Sequence, residues 1–79
     1  MSPYPNRKIV ERLREQYPEG CRVELDCMND RQAPPVGTRG TVIYVDDVGT
    51  IQVNWDNGSG LGVAFGEDQC HRIGKEDEK

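Results

Sequence analysis

The chain has 79 residues and a formal net charge of -4, with 34% hydrophobic, 6% aromatic and 30% charged side chains. A chain of this length holds one domain, which buries only about 60% of the surface its unfolded form exposes, so it supports a single lean core. No run of about 18 apolar residues occurs to span a bilayer and the N-terminus shows no apolar signal-peptide core, which predicts a protein without membrane segments that stays in the cytoplasm.

Ser2 to Pro5 carries two prolines in four residues and cannot start a helix. Asn6 suits an N-cap, and Arg7 to Gln16 reads as helix, stopped by Pro18 and Gly20. Ile9, Val10, Leu13 and Tyr17 recur at helical spacing as one apolar stripe. Roughly ten residues make too short a helix to stand alone, so the stripe is expected to pack on the rest of the domain.

Cys21 to Leu25 alternates, with Cys21, Val23 and Leu25 on one face and Arg22 and Glu24 on the other, as a half-buried strand does. Met28 to Thr38 holds Asn29, Asp30 and the pair Pro34-Pro35, which favours an irregular loop over a ladder. Thr41 to Val45 is β-branched, and Ile51, Val53 and Trp55 alternate with polar neighbours. Between them Asp46 to Gly49 predicts a tight hairpin, with Gly49 free to take positive φ. Asp56-Asn57-Gly58 predicts the next turn, and Leu61, Val63 and Phe65 alternate as a fourth strand. Gly66-Glu67-Asp68 then turns into a last strand around His71 to Ile73. The expected core is Val23, Leu25, Val42, Val45, Ile51, Val53, Trp55, Leu61, Val63, Phe65 and Ile73.

Five short strands with a long first loop and two tight hairpins predict a mainly β fold, a five-stranded SH3-like barrel with one N-terminal α-helix. The division is a helical extension over 1–16 that packs on the barrel, the barrel over 17–74, and a charged, disordered tail over 75–79. Residues 1–22 carry five basic and three acidic side chains and residues 23–79 five and eleven, a balance of +2 against -6. So acidic a barrel repels a phosphate backbone at long range.

The stretches from Tyr17 to Leu25 and Ala33 to Val42, the run Trp55-Asp56-Asn57-Gly58-Ser59-Gly60-Leu61 and the later Gly66-Glu67-Asp68 resemble a family of small bacterial and phage proteins known as a domain of unknown function. The resemblance covers Tyr17 to about Ile73 and implies a fold but no activity. A shorter similarity, through Gly40-Thr41-Val42 and Val53 to Ser59, is to the Mib-Herc2, KOW and Tudor-type SH3-like modules, and it implies binding of peptides or nucleic acids. Cys27, Cys70 and the basic helix lie outside these motifs.

Among chemical constellations, Cys21, Cys27, Cys70 and His71 have the donor types for zinc, yet Cys21 and Cys27 are six apart and Cys70 and His71 face opposite ways on a strand, so no metal site is expected. Three thiols without a signal peptide point instead to a reducing compartment. The carboxylate pairs Asp46-Asp47 and Glu67-Asp68 fall in turns, where such groups bond local amides, and neither a catalytic centre nor a cofactor is expected. The expected function is therefore binding. The leading candidate is a protein or peptide held by the 28–38 loop and the 56–60 hairpin, through Asp30, Pro34, Pro35, Tyr44, Asp56, Asn57 and Ser59, on a chain expected to be monomeric. The alternative partner is nucleic acid, met at phosphate by Arg7, Lys8, Arg12 and Arg14.

Overall fold

The computed structural model describes residues 6–74, so the expectations for Ser2 to Pro5 and for the tail over 75–79 lie outside the described residues. Helix α1 (Arg7–Gln16) is followed by strands β1 (Arg22–Cys27), β2 (Arg39–Val45), β3 (Thr50–Trp55), β4 (Val63–Ala64) and β5 (Gln69–Ile73). Asn6 is the N-cap, its side chain accepting from Ile9 N at 3.0 Å, and the last turn closes where Tyr17 N donates to Leu13 O at 2.8 Å. Pro18 follows, and the helix ends where the sequence places its stop.

The strands form one antiparallel sheet in the order β4-β3-β2-β1-β5. One face of that sheet and the apolar stripe of α1 make a single core, in which Val10, Leu13 and Tyr17 join Val23, Leu25, Val42, Val45, Ile51, Val53, Trp55 and Val63. Trp55 is 1% exposed, and its indole Nε1 donates to Leu61 O at 2.7 Å, which satisfies the one polar atom of a buried ring. Gly40 faces Trp55 across the β2–β3 ladder. A Cβ there would come within 2.6 Å of Val53 Cγ1 and 2.8 Å of Trp55 Cε3, so the ring needs a neighbour without a side chain.

Three members of the expected core are not in it. Phe65 is 48% exposed, and Leu61 and Ile73 are only half-buried. The predicted fourth strand over Leu61 to Phe65 shrinks to Val63–Ala64 because both flanks are diverted. Leu61 O is taken by the indole of Trp55, and after Ala64 the chain turns at Gly66, φ 88°, so that Glu67 N and Asp68 N both donate to Ala64 O. Period-two alternation is only informative while a ladder continues.

A register shift lies between Val42 and Tyr44 in the β2–β3 pairing. The extra residue turns both Ile43 and Tyr44 outward before Val45 returns to the core. β4 and β5 stand at opposite ends of the strand order and do not hydrogen-bond to each other, so the ladder does not close into a ring. The open side between them positions the site described next.

Candidate functional site

The 28–38 loop and the hairpin after β3 lie at one end of the sheet, because Asp56 N donates to Arg39 O at 2.9 Å while Gly37 N and Thr38 O bond to Leu25. Arg22 reaches across β2 with both guanidinium nitrogens on the two oxygens of Asp56, at 2.9 and 2.6 Å, and also donates to Thr41 Oγ1 at 3.0 Å. This two-pronged hydrogen bond holds the Asp56 carboxyl below the usual carboxylate range.

The other predicted residues at this end bond within their own turns. Asp30 Oδ1 accepts from Gln32 N at 2.8 Å and Asn57 Oδ1 from Ser59 N at 3.0 Å. Ser59 Oγ faces Leu61 N at 3.4 Å, Pro34 is buried, and the carbonyl of Pro35 accepts from Thr38 Oγ1 at 2.6 Å. Tyr44 is not among them: it stands five residues into β2, on the order of 17 Å along the strand towards the opposite hairpin, 55% exposed beside Ile43.

The cationic helix face is partly committed. Arg7 Nε lies 3.2 Å from Glu11 Oε1. Arg14 donates to Val45 O at 3.1 Å and to Asp47 Oδ1 at 2.7 Å, which fastens α1 to the β2–β3 hairpin. Lys8 and Arg12 are exposed and make no ion pair among the described residues.

A concavity lies elsewhere, on the open side of the sheet. It is a groove of about 400 Å³ between the C-terminal half of α1, the inner ends of β3 and β4, and the start of β5. Leu13, Ile51 and Val63 lend it an apolar floor, Phe65 stands half-exposed on its rim, and Gln16, Gln69, Asp26 and Asp68 supply polar edges. Tyr17 Oη donates to Cys70 O at 3.2 Å, and Arg72 Nη1 to Gln16 O at 3.1 Å, so the helix is tied to β5 along the groove's length. Burial, then the charges of Asp26 and Cys21, pushes the Cys70 thiol up to about 12, and burial raises Tyr17 and Cys21 as well. These three are neutral groups at pH 7.

Asp68 is positioned by the turn it closes. Its Oδ1 accepts from Asn29 N at 2.9 Å and its Oδ2 from Ala64 N at 3.0 Å, bridging the long loop to β4. Asp26 meets His71, whose Nδ1 lies 2.8 and 2.9 Å from its two oxygens, with Glu24 Oε2 at 3.7 Å from Nε2. Cys70 packs against the core while His71 is on the outer surface, the opposite orientation that neighbouring strand residues must take. All three cysteines are free thiols. The other carboxylate pair serves its hairpin: Asp46 accepts from Val48 N, Thr50 N and Gln52 Nε2.

The groove was missed in the sequence because its floor residues carry a core pattern and Phe65 sits in step with Val63. The signal that marks it is the Gly66-Glu67-Asp68 turn, which interrupts that alternation directly after Phe65. No helix among the described residues is long and apolar enough to cross a membrane. No curated protein and no solved structure matches the chain. Residues 6–73 match the family described as a domain of unknown function (DUF4314), and the chain belongs to that family.

Proposed function

We propose that the chain is a small non-enzymatic binding module on an SH3-like scaffold, taking a protein or peptide partner in the groove between α1 and the β4–β5 opening. The observation that carries this reading is Phe65, a large apolar side chain left 48% exposed at the rim of a concavity with an apolar floor. Pockets of a few hundred Å³ with such a lining are the usual seats of ligands. The SH3-like description rests on the order of elements: five short strands, a long first loop, two tight hairpins and a brief turn before the last strand. We read the module as a cytoplasmic monomer, in keeping with its three free thiols.

The loop end remains a secondary surface on this reading. Asp30, Pro35, Asn57 and Ser59 are engaged in holding their turns, whereas the groove residues offer unfilled apolar contact. The phosphate-reading alternative draws less support, since Arg7 and Arg14 are paired with carboxylates and leave Lys8 and Arg12 to act alone. The test is a pull-down from native lysate with the intact chain and with Phe65→Ala, each with and without nuclease. Partners that survive nuclease and disappear with Phe65→Ala sustain the reading. Partners that vanish with nuclease, or that ignore the substitution, overturn it.

A further inference from the structure

The charge of the groove singles out one class of occupant. Of the residues that line it, only Asp26 and Asp68 are charged, and none is basic. Asp68 has no cationic partner among the described residues: its two oxygens meet the backbone N–H groups of Asn29 and Ala64, which are neutral donors and leave its full negative charge at the edge. Asp26 shares its charge with His71 on the outer side. Arg14 is paired with Asp47 and Val45 O, while Arg72, held on the neutral carbonyl of Gln16, keeps its positive charge on the helix side of the groove, away from Asp68 at the Gly66 turn. The same groove is lined by the buried apolar side chains of Leu13, Ile51 and Val63 and by the half-exposed Phe65.

From this juxtaposition we infer that the groove takes a peptide segment with an apolar anchor flanked by lysine or arginine. The anchor fills the floor beside Phe65, and the flanking cation lies against Asp68, with Asp26 adding to the field. A lining with one sign of charge over low-dielectric walls focuses its potential into the cleft, so the opposite charge is drawn in and acidic segments are turned away. The neighbouring thiol registers the same field, since Asp26 stands next after burial among the causes that raise Cys70. The inference rests on the groove being the binding surface, and it adds which segment the groove accepts.

The test uses a library of random 12-residue peptides displayed on phage and selected against the intact chain at about 50 mM salt. Selected sequences are then made as fluorescent peptides and titrated by anisotropy. The expected outcome is enrichment of apolar residues with Lys or Arg within two or three positions, binding lost with Phe65→Ala, and affinity that falls severalfold between 50 and 500 mM salt. Asp68→Asn removes the charge while keeping one of the two acceptors that hold Asn29 N and Ala64 N, and it is expected to weaken basic peptides by roughly threefold to tenfold with little effect on an uncharged apolar control, which separates the lost charge from the lost bond. Far-UV circular dichroism of each variant checks that the fold is retained. If the selected peptides need Phe65 yet show no basic enrichment and no salt dependence, the inference fails and the groove reading stands. If they bind Phe65→Ala as well as the unaltered chain, or none is enriched, both fail. Self-association in sedimentation velocity that Phe65→Ala abolishes would assign the groove to a second copy of the chain and also overturn the inference.

Discussion

The two sides of the sheet end in opposite ways. Where β1 meets β5, pairing runs from Arg22 with Ile73 to Cys27 with Gln69, and the outer surface there is laced by His71 with Asp26 and Glu24. Where β4 faces the start of β5, no ladder forms, and the opening is bordered by the turn at Gly66 to Asp68, the side of α1 and the groove. The sealed side uses its backbone groups on itself. The open side has its backbone satisfied by a side chain, Asp68, and leaves apolar surface without a partner. That difference separates residues that hold the fold from residues free to bind.

If the division is real, substitutions on the sealed and inner positions must cost stability, and those at the groove rim must not. The largest effect is expected from Trp55→Ala, which empties a wholly buried site and leaves Leu61 O without its donor; a loss of about 3–5 kcal/mol in urea unfolding is expected. Gly40→Ala comes next, with a Cβ forced against Val53 and Trp55, at about 1–3 kcal/mol. A result near zero for either would remove the close-packed inner face from the argument.

Alkaline pH probes the boundary between the two regions. Tyr17, Cys21 and Cys70 all have folded pKa values raised above their ordinary ones, chiefly by burial. A raised folded pKa means that the neutral group favours the folded state. This contribution is complete below the unfolded thiol value of 9.0 and is lost as pH climbs through about 12 for Cys70. The melting temperature is therefore expected to fall between pH 9 and 12, and at pH 7.5 iodoacetamide should label exposed Cys27 well before Cys70. Equal labelling rates would show that the groove floor opens freely.

Arg22→Ala sharpens the sealed side at smaller scale. The Arg22–Asp56 fork lies partly in solvent, with side-chain exposures of 26% and 55%, so its removal should cost at most about 1 kcal/mol. Because the folded pKa of Asp56 is lowered, the fork's contribution is present above pH 3.8 and fades as pH falls through the lower folded value. The variant and the unaltered chain should thus converge in stability under acid. The smallest effect is expected from Phe65→Ala, within about 0.5 kcal/mol in unfolding, since the ring is a surface group in the unbound domain. A loss above 2 kcal/mol would make Phe65 a structural residue and close the case for an open site.

Much of this fold was local enough to read from the chain. The Asn6 cap, the Pro18 stop, the hairpins at Gly49 and Gly58 with φ of 81° and 93°, and the inward set Ile51, Val53 and Trp55 all follow from propensity, turn chemistry and period. The reading fails where a hydrogen bond that the residue pattern does not show decides the outcome, some within a turn and some from far along the chain. Phe65 keeps the alternation of a strand and its N still donates to Gly49 O at 3.2 Å, but the chain turns at Gly66 directly after it, with Glu67 N and Asp68 N closing on Ala64 O, and the ring is left 48% exposed. Arg14 looks like a solvent-facing cation in its helix, and only the fold brings Asp47 and the carbonyl of Val45 to it from 33 and 31 residues away. Asp30, Asn57 and Ser59 look like offered polar groups until their turn bonds are drawn. The sequence by itself determined which segments become helix, strand and turn, with β4 the exception, since those depend mostly on neighbours along the chain. Only the tertiary structure decided which apolar side chains stay uncovered and which charges stay uncompensated, because both depend on what long-range packing leaves without a partner.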